Sequence, residues 1–254
     1  LPPAIESRAL LGTAAMRYTQ GELGHARTAL TRALALAHET GDMVMVARAE
    51  NLLGDIEHSV GNADAAREHF ARGIAGFRAL ALPWGLGNSL TGMASVVLAA
   101  GDTAHAERLL DEAASVLRHT APWFLSWALY LRAFLAVRCG KPDEAIGFVR
   151  ESLTYIRQLH DTFAFVYALV PLAAAAVLKG DDEWAARILG ARDAVTERTG
   201  AAVAEQSLDE LKEQVQRDAL ARLGPDRWAT AYAAGRNTSI DELLKDIEKV
   251  LRKR

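Results

Sequence analysis

Residues 97–110 read VLAAGDTAHAERLL, in which Gly101 and Asp102 separate two apolar runs and His105 follows three residues later. A carboxylate and an imidazole at that spacing are donors that a metal ion could use, and a glycine turn entering a helix can turn backbone N–H groups toward a phosphate. Other stretches raise similar questions. CGKPDEA at 139–145 contains Gly-Lys, but it lacks the upstream glycine and the following Ser or Thr of a phosphate loop. GLGNSLTG at 85–92 has three glycines in the wrong spacing for a dinucleotide fingerprint. Neither G-x-S-x-G nor H-E-x-x-H occurs. The seven histidines are scattered without ligand spacing, and Cys139, with no histidine near it in sequence, reads as a small apolar packer. No catalytic, metal-ligating or cofactor-binding set emerges, so the chain reads as a non-enzyme without a cofactor.

The elements that would position such residues explain the turn better. Its pattern recurs as QGELGHA, VGNADAA, AGDTAHA, CGKPDEA and KGDDEWA, with glycines at 21, 61, 101, 140 and 180, spaced 40, 40, 39 and 40 apart. Five residues after each glycine stands an alanine: Ala26, Ala66, Ala106, Ala145 and Ala185. Twelve before each alanine stands another small residue, Ala14, Gly54, Ala94, Ala133 or Ala173. Four after it comes Leu30, Phe70, Leu110, Val149 or Leu189. The flanks carry apolar residues at three- and four-residue spacing with few β-branched residues, which predicts helices. The glycine closes one helix in a left-handed conformation, and the polar residue that often follows caps the next. Pro83 with Trp84 and Pro122 with Trp123, 39 residues apart, mark the starts of later first helices. Asp102 is replaced by Glu22, Asn62, Lys141 and Asp181 at equivalent positions, which no shared metal or phosphate chemistry would permit.

A helical hairpin cannot hide its apolar faces alone, so consecutive copies stack. The expected fold is all-α, a right-handed α-α superhelix of five roughly 40-residue hairpins over residues 1–200, with degenerate capping helices over 201–254. In the cap, GPDRWA at 224–229 echoes GDDEWA at 180–185, but Arg217 stands where the small residue should be. The last helix opens with a capping box, Ser239 to Glu242, and gathers Ile240, Leu243, Leu244, Ile247, Val250 and Leu251 on one face. Its basic end, Lys249 and Arg252 to Arg254, complements the helix dipole.

Composition excludes several classes. With 50% hydrophobic residues in 254, the chain can bury a substantial core. A net charge of −3 provides no field for nucleic acid or an anionic membrane surface. The longest uncharged apolar stretch, FAFVYALVPLAAAAVL at 163–178, has 16 residues and falls short of the roughly 20 that a spanning helix needs. A single cysteine excludes an internal disulfide framework and fits a reducing compartment. Opening on Leu1, without a basic and apolar leader, the chain reads as a piece of a longer cytoplasmic protein.

The small residue, the twelve-residue step, the alanine and the bulky residue four later resemble the tetratricopeptide repeat, most closely at Leu53-Gly54, Ala66 and Phe70. The period is longer than that family's usual unit of about 34 residues, and because the inner step is preserved, the extra residues are expected to lengthen the outer helices. HEAT-type hairpins share the period and are the alternative architecture. The resemblance implies a concave groove lined by the first helix of each hairpin. Six before the small residue it places Arg8, Arg48, Asn88, Trp127 and Tyr167; three before, Leu11, Asn51, Thr91, Tyr130 and Val170. One after come Ala15, Asp55, Ser95, Phe134 and Ala174; four after, Tyr18, His58, Leu98, Val137 and Val177. The binding candidates are Arg8, Arg48, Asn51, Asp55, His58 and Asn88 in a polar stretch, followed by Trp127, Tyr130, Phe134 and Tyr167 in an aromatic shelf. Such a surface suits a small polar ligand or a peptide, whereas the alternative for each ring is packing against neighbouring helices.

GDMVMVARAENLLGDIEHSVGN, AARILGARDAVTERTG and RLGPDRWATAYAAGR further resemble the helical-repeat segment of bacterial maltose-regulator-like and LuxR-type signal-transduction ATPases. That resemblance implies a sensor or docking arm of a transcriptional regulator, partnered by the ATPase and DNA-binding modules of its parent chain and without direct nucleic-acid contact of its own. The alternative is a general protein-interaction scaffold. Chaperone-tail adaptors resemble one another in a Lys and Asn clamp, and the pairs Leu11 with Ala15, Asn51 with Asp55, and Thr91 with Ser95 do not form one.

Overall fold

The computed structural model describes residues 1–199 and 206–252, the side chains of 206, 251 and 252 excepted. Every element among the described residues is a helix. Ten form five hairpins: α1 (Pro3–Thr19) with α2 (Leu23–Thr40), α3 (Met43–Ser59) with α4 (Ala63–Ala79), α5 (Pro83–Ala99) with α6 (Thr103–Leu117), α7 (Pro122–Arg138) with α8 (Pro142–Leu159), and α9 (Thr162–Leu178) with α10 (Asp182–Thr199). Then come α11 (Gln206–Leu223), α12 (Pro225–Gly235) and α13 (Ile240–Arg252). The chain divides into two compact units, residues 1–124 and 125–254, with the division inside α7.

Each hairpin turn closes its first helix in the same way, whereas a side-chain cap on the second helix is made by Asp102 and Asp181 and not by Glu22, Asn62 or Lys141. At Gly101, φ is +88°, its N–H donates to the Leu98 carbonyl at 3.0 Å, and the Asp102 N–H donates to the Val97 carbonyl at 3.0 Å. This pair of bonds closes α5 as a Schellman motif. The Asp102 carboxylate then accepts the His105 N–H at 3.0 Å and caps α6. His105 and Asp102 are therefore joined as a helix start, with no metal geometry involved. Cys139 lies in the corresponding turn after α7, beyond its last helical residue, and is exposed rather than packed.

First helices are uniformly 17 residues long and second helices run from 15 to 18. The added length is thus shared between both helices instead of falling on the outer ones. The twelve-residue step fixes only the inner turn, so at each junction between hairpins one helix can end later and the next begin earlier.

In unit 1 the small residues of the frame are buried, Ala14 and Ala94 at 0% exposure. Hairpin two has Gly54 where the others have alanine and Phe70 where they have Leu or Val. A Cβ on Gly54 would come within 2.8 Å of the Phe70 ring, and one on Gly92 of α5 would overlap the same ring. Larger ring and missing methyls compensate, which keeps the core close-packed. The other glycines of GLGNSLTG act alike, Gly85 making room for Phe77 and Gly87 for Leu117.

Unit 2 has one continuous core running from α7 to α13. Its centre is α9, buried on nearly every side, with Pro171 inside the helix. Neighbours α8, α10 and α11 enclose it, which is why its sequence is apolar all round rather than striped. The cap is welded on by a backbone crossing of α10 and α12: a Cβ on Gly190 would overlap the Tyr232 carbonyl, and one on Gly235 the Arg187 carbonyl. Around it the Tyr232 hydroxyl donates to Asp193 at 2.8 Å, Arg236 grips Glu197 with two bonds, and Arg222 grips Asp182 with two more. Burial and the Asp193 carboxylate push the Tyr232 hydroxyl up to about 12. Ser239 and Glu242 form the anticipated capping box, the Ser239 N–H donating at 2.7 Å and the Glu242 N–H at 3.3 Å. Leu243 and Ile247 of α13 are fully buried in the same core. Within the basic end of that helix, Lys249 pairs with Asp246 at 3.1 Å, whereas the side chains of Arg252, Lys253 and Arg254 lie outside the described residues.

Candidate binding face

In unit 1, α1, α3 and α5 lie side by side. On α3 the residues 48, 51, 55 and 58 fall at helical spacing along one stripe. Asn51 is the hub: the Ser89 hydroxyl of α5 donates to its carbonyl oxygen at 2.6 Å, and its NH2 donates to the Asp55 carboxylate at 3.3 Å. The Ser59 hydroxyl donates to the Asp55 carbonyl at 2.8 Å and meets the Tyr18 hydroxyl of α1 at 3.4 Å. Thr91 donates to the Gly87 carbonyl at 2.8 Å. Asn88, half-buried, has no hydrogen-bond partner among the described residues.

The two arginines among the candidates, Arg8 of α1 and Arg48 of α3, have partners of their own. Arg8 pairs with Asp42 at 3.1 Å, and the Arg48 guanidinium lies 5.9 Å from the Trp84 ring centroid. Burial pushes Asp55 up to about 7 and lowers His58. Asp55 forms no ion pair among the described residues, in contrast to the two other acids of α3. Glu50 meets Arg72 at 2.9 Å and His69 at 2.6 Å, while Glu57 meets Arg27 at 2.8 Å and Asn62 at 2.7 Å. Burial alone would raise Glu50, but His69 and Arg72 hold it below the usual carboxylate range.

The aromatic candidates lie in unit 2. Trp127 and Tyr130 of α7 and Tyr167 of α9 contact one another edge-on, with centroids 4.9 to 6.1 Å apart, and Phe134 joins at 6.5 Å from Tyr130. Tyr130, Phe134 and Tyr167 are 3%, 5% and 8% exposed, so each ring meets mainly protein. Trp127 is half-buried. Beside it stands Phe163, 42% exposed, 5.8 Å from Trp127 and 5.1 Å from Tyr167.

Phe163 was absent from the transferred positions, and so were Trp84 and Trp123. All three stand ten residues before the small residue of their repeats. The early start of these first helices adds a turn that the shorter family unit lacks, and that turn brings one more position onto the face. The longer period was the signal that could have found them. Ser89 was missed for a different reason: five before Ala94 it points between helices, and only the structure pairs it with Asn51.

Among the described residues no group of three or more His, Cys, Asp and Glu side chains is placed to hold a metal ion. No helix there is long and apolar enough to cross a membrane.

No family model matches the chain, and no curated protein does either. Solved structures do. BtubC (BKLC) from P. vanneervenii aligns at a TM-score of 0.56 and 16% identity, over 84% of this chain and 79% of that one. The apo form of RapI aligns at 0.61 and 11%, over 85% and 84%. The fold is a tetratricopeptide-like helical repeat.

Proposed function

We propose that this chain is a non-enzymatic sensor or docking segment of a larger cytoplasmic transcriptional regulator of the maltose-regulator-like or LuxR type, engaging a small polar ligand, peptide or protein along the first-helix face. The carrying observation is the Ser89–Asn51–Asp55 chain with Asn88 beside it: polar groups fixed in place on α3 and α5, with hydrogen-bonding capacity left over. A surface of that kind fits recognition, since partly exposed polar groups held in place by the buried Asn51 and Ser89 can exchange water for a ligand, and helix stacking alone does not need them. The regulator assignment draws on GDMVMVARAENLLGDIEHSVGN, AARILGARDAVTERTG and RLGPDRWATAYAAGR. Two of them converge on the α10–α12 crossing, where Gly190 and Gly235 have a mechanical reason to be glycine. Within the parent chain, an effector bound to the face would switch output only by favouring one of two arrangements relative to the ATPase module.

The reading is tested in the parent regulator with a target-promoter reporter. Asn88→Ala combined with Asp55→Ala is expected to abolish the response to inducing conditions while protein level and melting temperature are retained. An unchanged response in folded protein overturns a role for this face. A response that persists after deletion of residues 1–254 from the parent overturns the regulator reading as a whole.

A further inference from the structure

We propose that α1 seats the second helix of a further hairpin, supplied by the stretch of the parent chain ahead of Leu1, on a stripe formed by Ile5, Ala9, Gly12 and Met16. This goes beyond the binding face of α3 and α5, and it rests on the reading above only in taking the chain as part of a larger protein.

The four residues stand nine, five and two before and two after Ala14, at the spacing that lines one side of a helix. All four are exposed, Ile5 at 54% and Met16 at 65%. The same places in later first helices are buried or half-buried. On α3 they hold Met45, Ala49, Leu52 and Ile56; on α5, Gly85, Ser89, Gly92 and Val96; on α9, Ala164, Ala168, Pro171 and Ala175. In each case the second helix of the preceding hairpin covers them. Met45, Ala49 and Ile56 share a core with Ala26, Leu30 and Ala37 of α2. On α5 the contacts run in reverse order along α4. Gly85 makes room for the Phe77 ring, a Cβ on Gly73 would come 3.1 Å from the Ser89 Oγ, Gly92 makes room for Phe70, and Val96 packs with Phe70 and Ala66. In unit 2, Ala164, Ala168 and Ala175 lie in one core with Ala145, Val149 and Ile156 of α8.

α1 repeats this stripe in kind, apolar or small at every place, but its packing partners α2 and α3 lie on its other sides. A solenoid end that faces water carries polar residues there, and an exposed apolar stripe marks a contact. A second copy of the chain has no open second helix to offer head to tail, because α11 and α12 cover α10. The stripe also sets what its occupant carries. Ile5 stands where α5 has Gly85, which excludes a ring like Phe77 and calls for a small side chain such as Ala37, the core neighbour of Met45. Gly12 corresponds to Gly92, where the missing methyl admits the Phe70 ring, and a Cβ on Gly12 would meet nothing within 4 Å. The incoming helix thus carries a bulky apolar residue opposite Gly12 and small ones opposite Ile5 and Met16. Helix α4 has this pattern once Phe77 is reduced to alanine.

The test fuses such a hairpin to the 254-residue chain. A second copy of residues 43–82 carrying Phe77→Ala is placed directly before Pro3, so that its Leu82 meets a helix-opening proline as it does at Pro83. In a Cys139→Ser background, Met16→Cys reports on the stripe, and Thr31→Cys, at an exposed position of α2, is the control. Labelling by a maleimide is followed by peptide mass spectrometry. Beside the fused copy, Met16→Cys is expected to react about 10-fold more slowly than in the unfused chain, while Thr31→Cys keeps its rate. A copy that retains Phe77 is expected to protect much less, because the ring collides with Ile5. An unslowed Met16→Cys beside the Phe77→Ala copy overturns the seat, and equal protection by the two copies overturns the register on which it rests. In the parent regulator, Met16→Cys is expected to be protected to a similar degree, and deletion of roughly 40 residues ahead of Leu1 to restore its reactivity. A thiol that reacts freely in the intact parent, or that stays protected after the deletion, overturns the preceding hairpin. Protection that grows with concentration in the unfused chain, together with a dimer in sedimentation, gives the stripe to a second copy and overturns it too. None of these readouts involves the promoter response, so the preceding hairpin and the regulator reading fail separately.

Discussion

The same repeat frame does two different things in the two halves of the chain. In unit 1 the first-helix positions carry Asn51, Asp55, Asn88, Thr91 and Ser95, short polar groups that bond sparsely and leave capacity over. In unit 2 the equivalent positions carry Trp127, Tyr130, Phe134 and Tyr167, which turn toward one another and fill the space. A repeat therefore fixes where a side chain points, while its size and polarity decide whether that place becomes surface or core. The sharpest test of the contrast substitutes one residue of each kind. Tyr130→Ala is expected to destabilise by about 3–5 kcal/mol, as for other buried aromatics, whereas Asn88→Ala should stay within about 0.5 kcal/mol. Urea denaturation of both variants decides it, and similar losses would show that the two faces are built alike.

The two units also treat their partly buried acids differently. Unit 2 surrounds its partly buried Asp193 with Arg192, Lys212 and the Tyr232 hydroxyl. Burial would raise that carboxyl, but these partners hold it below its usual range. Asp55 in unit 1 has only desolvation and rises to about 7. For an acid whose folded value exceeds its unfolded one, the native state holds the proton longer, so stability falls as pH rises from about 4 to about 7. Asp55→Asn removes that contribution. Because the residue retains some solvent contact, the variant should gain about 2 kcal/mol over the native chain at a pH of about 8, and the gain should vanish near 4. A gain independent of pH would show that Asp55 is not the group responsible.

Much of this architecture is legible in the residues, and what was not has physical reasons. The five glycine turns and the small-residue register read directly, because each rests on a local requirement: positive φ at Gly101, close approach at Ala94. Even the exchange of Leu for Phe70 opposite Gly54 is visible as a paired departure from the frame. Burial of Tyr130 and Tyr167 was not readable, because it depends on rings from two helices meeting across a hairpin junction. The pairing of Asn51 with Ser89, 38 residues apart, likewise belongs to the stacking of hairpins and to no motif. The ion pairs that bind the cap, Arg222 to Asp182 and Arg236 to Glu197, are ordinary charged residues until α11 and α12 are brought against α10.

Hairpin two can be broken and mended within unit 1. Gly54→Ala puts a methyl against the Phe70 ring, which α5 also crowds through Gly92, and should cost about 2 kcal/mol. In a Phe70→Leu background, which restores the pairing of the other hairpins, the same alanine should cost much less. A double-mutant cycle on melting or urea midpoints measures the coupling. Additive losses would mean that the Gly–Phe pairing is incidental.

The smallest effects belong to the turns, which the two units share. Asp102→Ala removes one capping bond and should cost about 1 kcal/mol or less. At Gly101 a Cβ would meet nothing within 4 Å, so any cost comes from the backbone at φ +88° alone. A β-branched residue tolerates that conformation poorly, and Gly101→Val should cost about 2 kcal/mol, more than loss of the cap. Gly101→Ala should fall between the two, because the chain already accepts an alanine at φ +52° at Ala81, between α4 and α5. Equal melting temperatures for Gly101→Val and Asp102→Ala would shift the weight of the turn from the backbone of the glycine to the side chain of the aspartate.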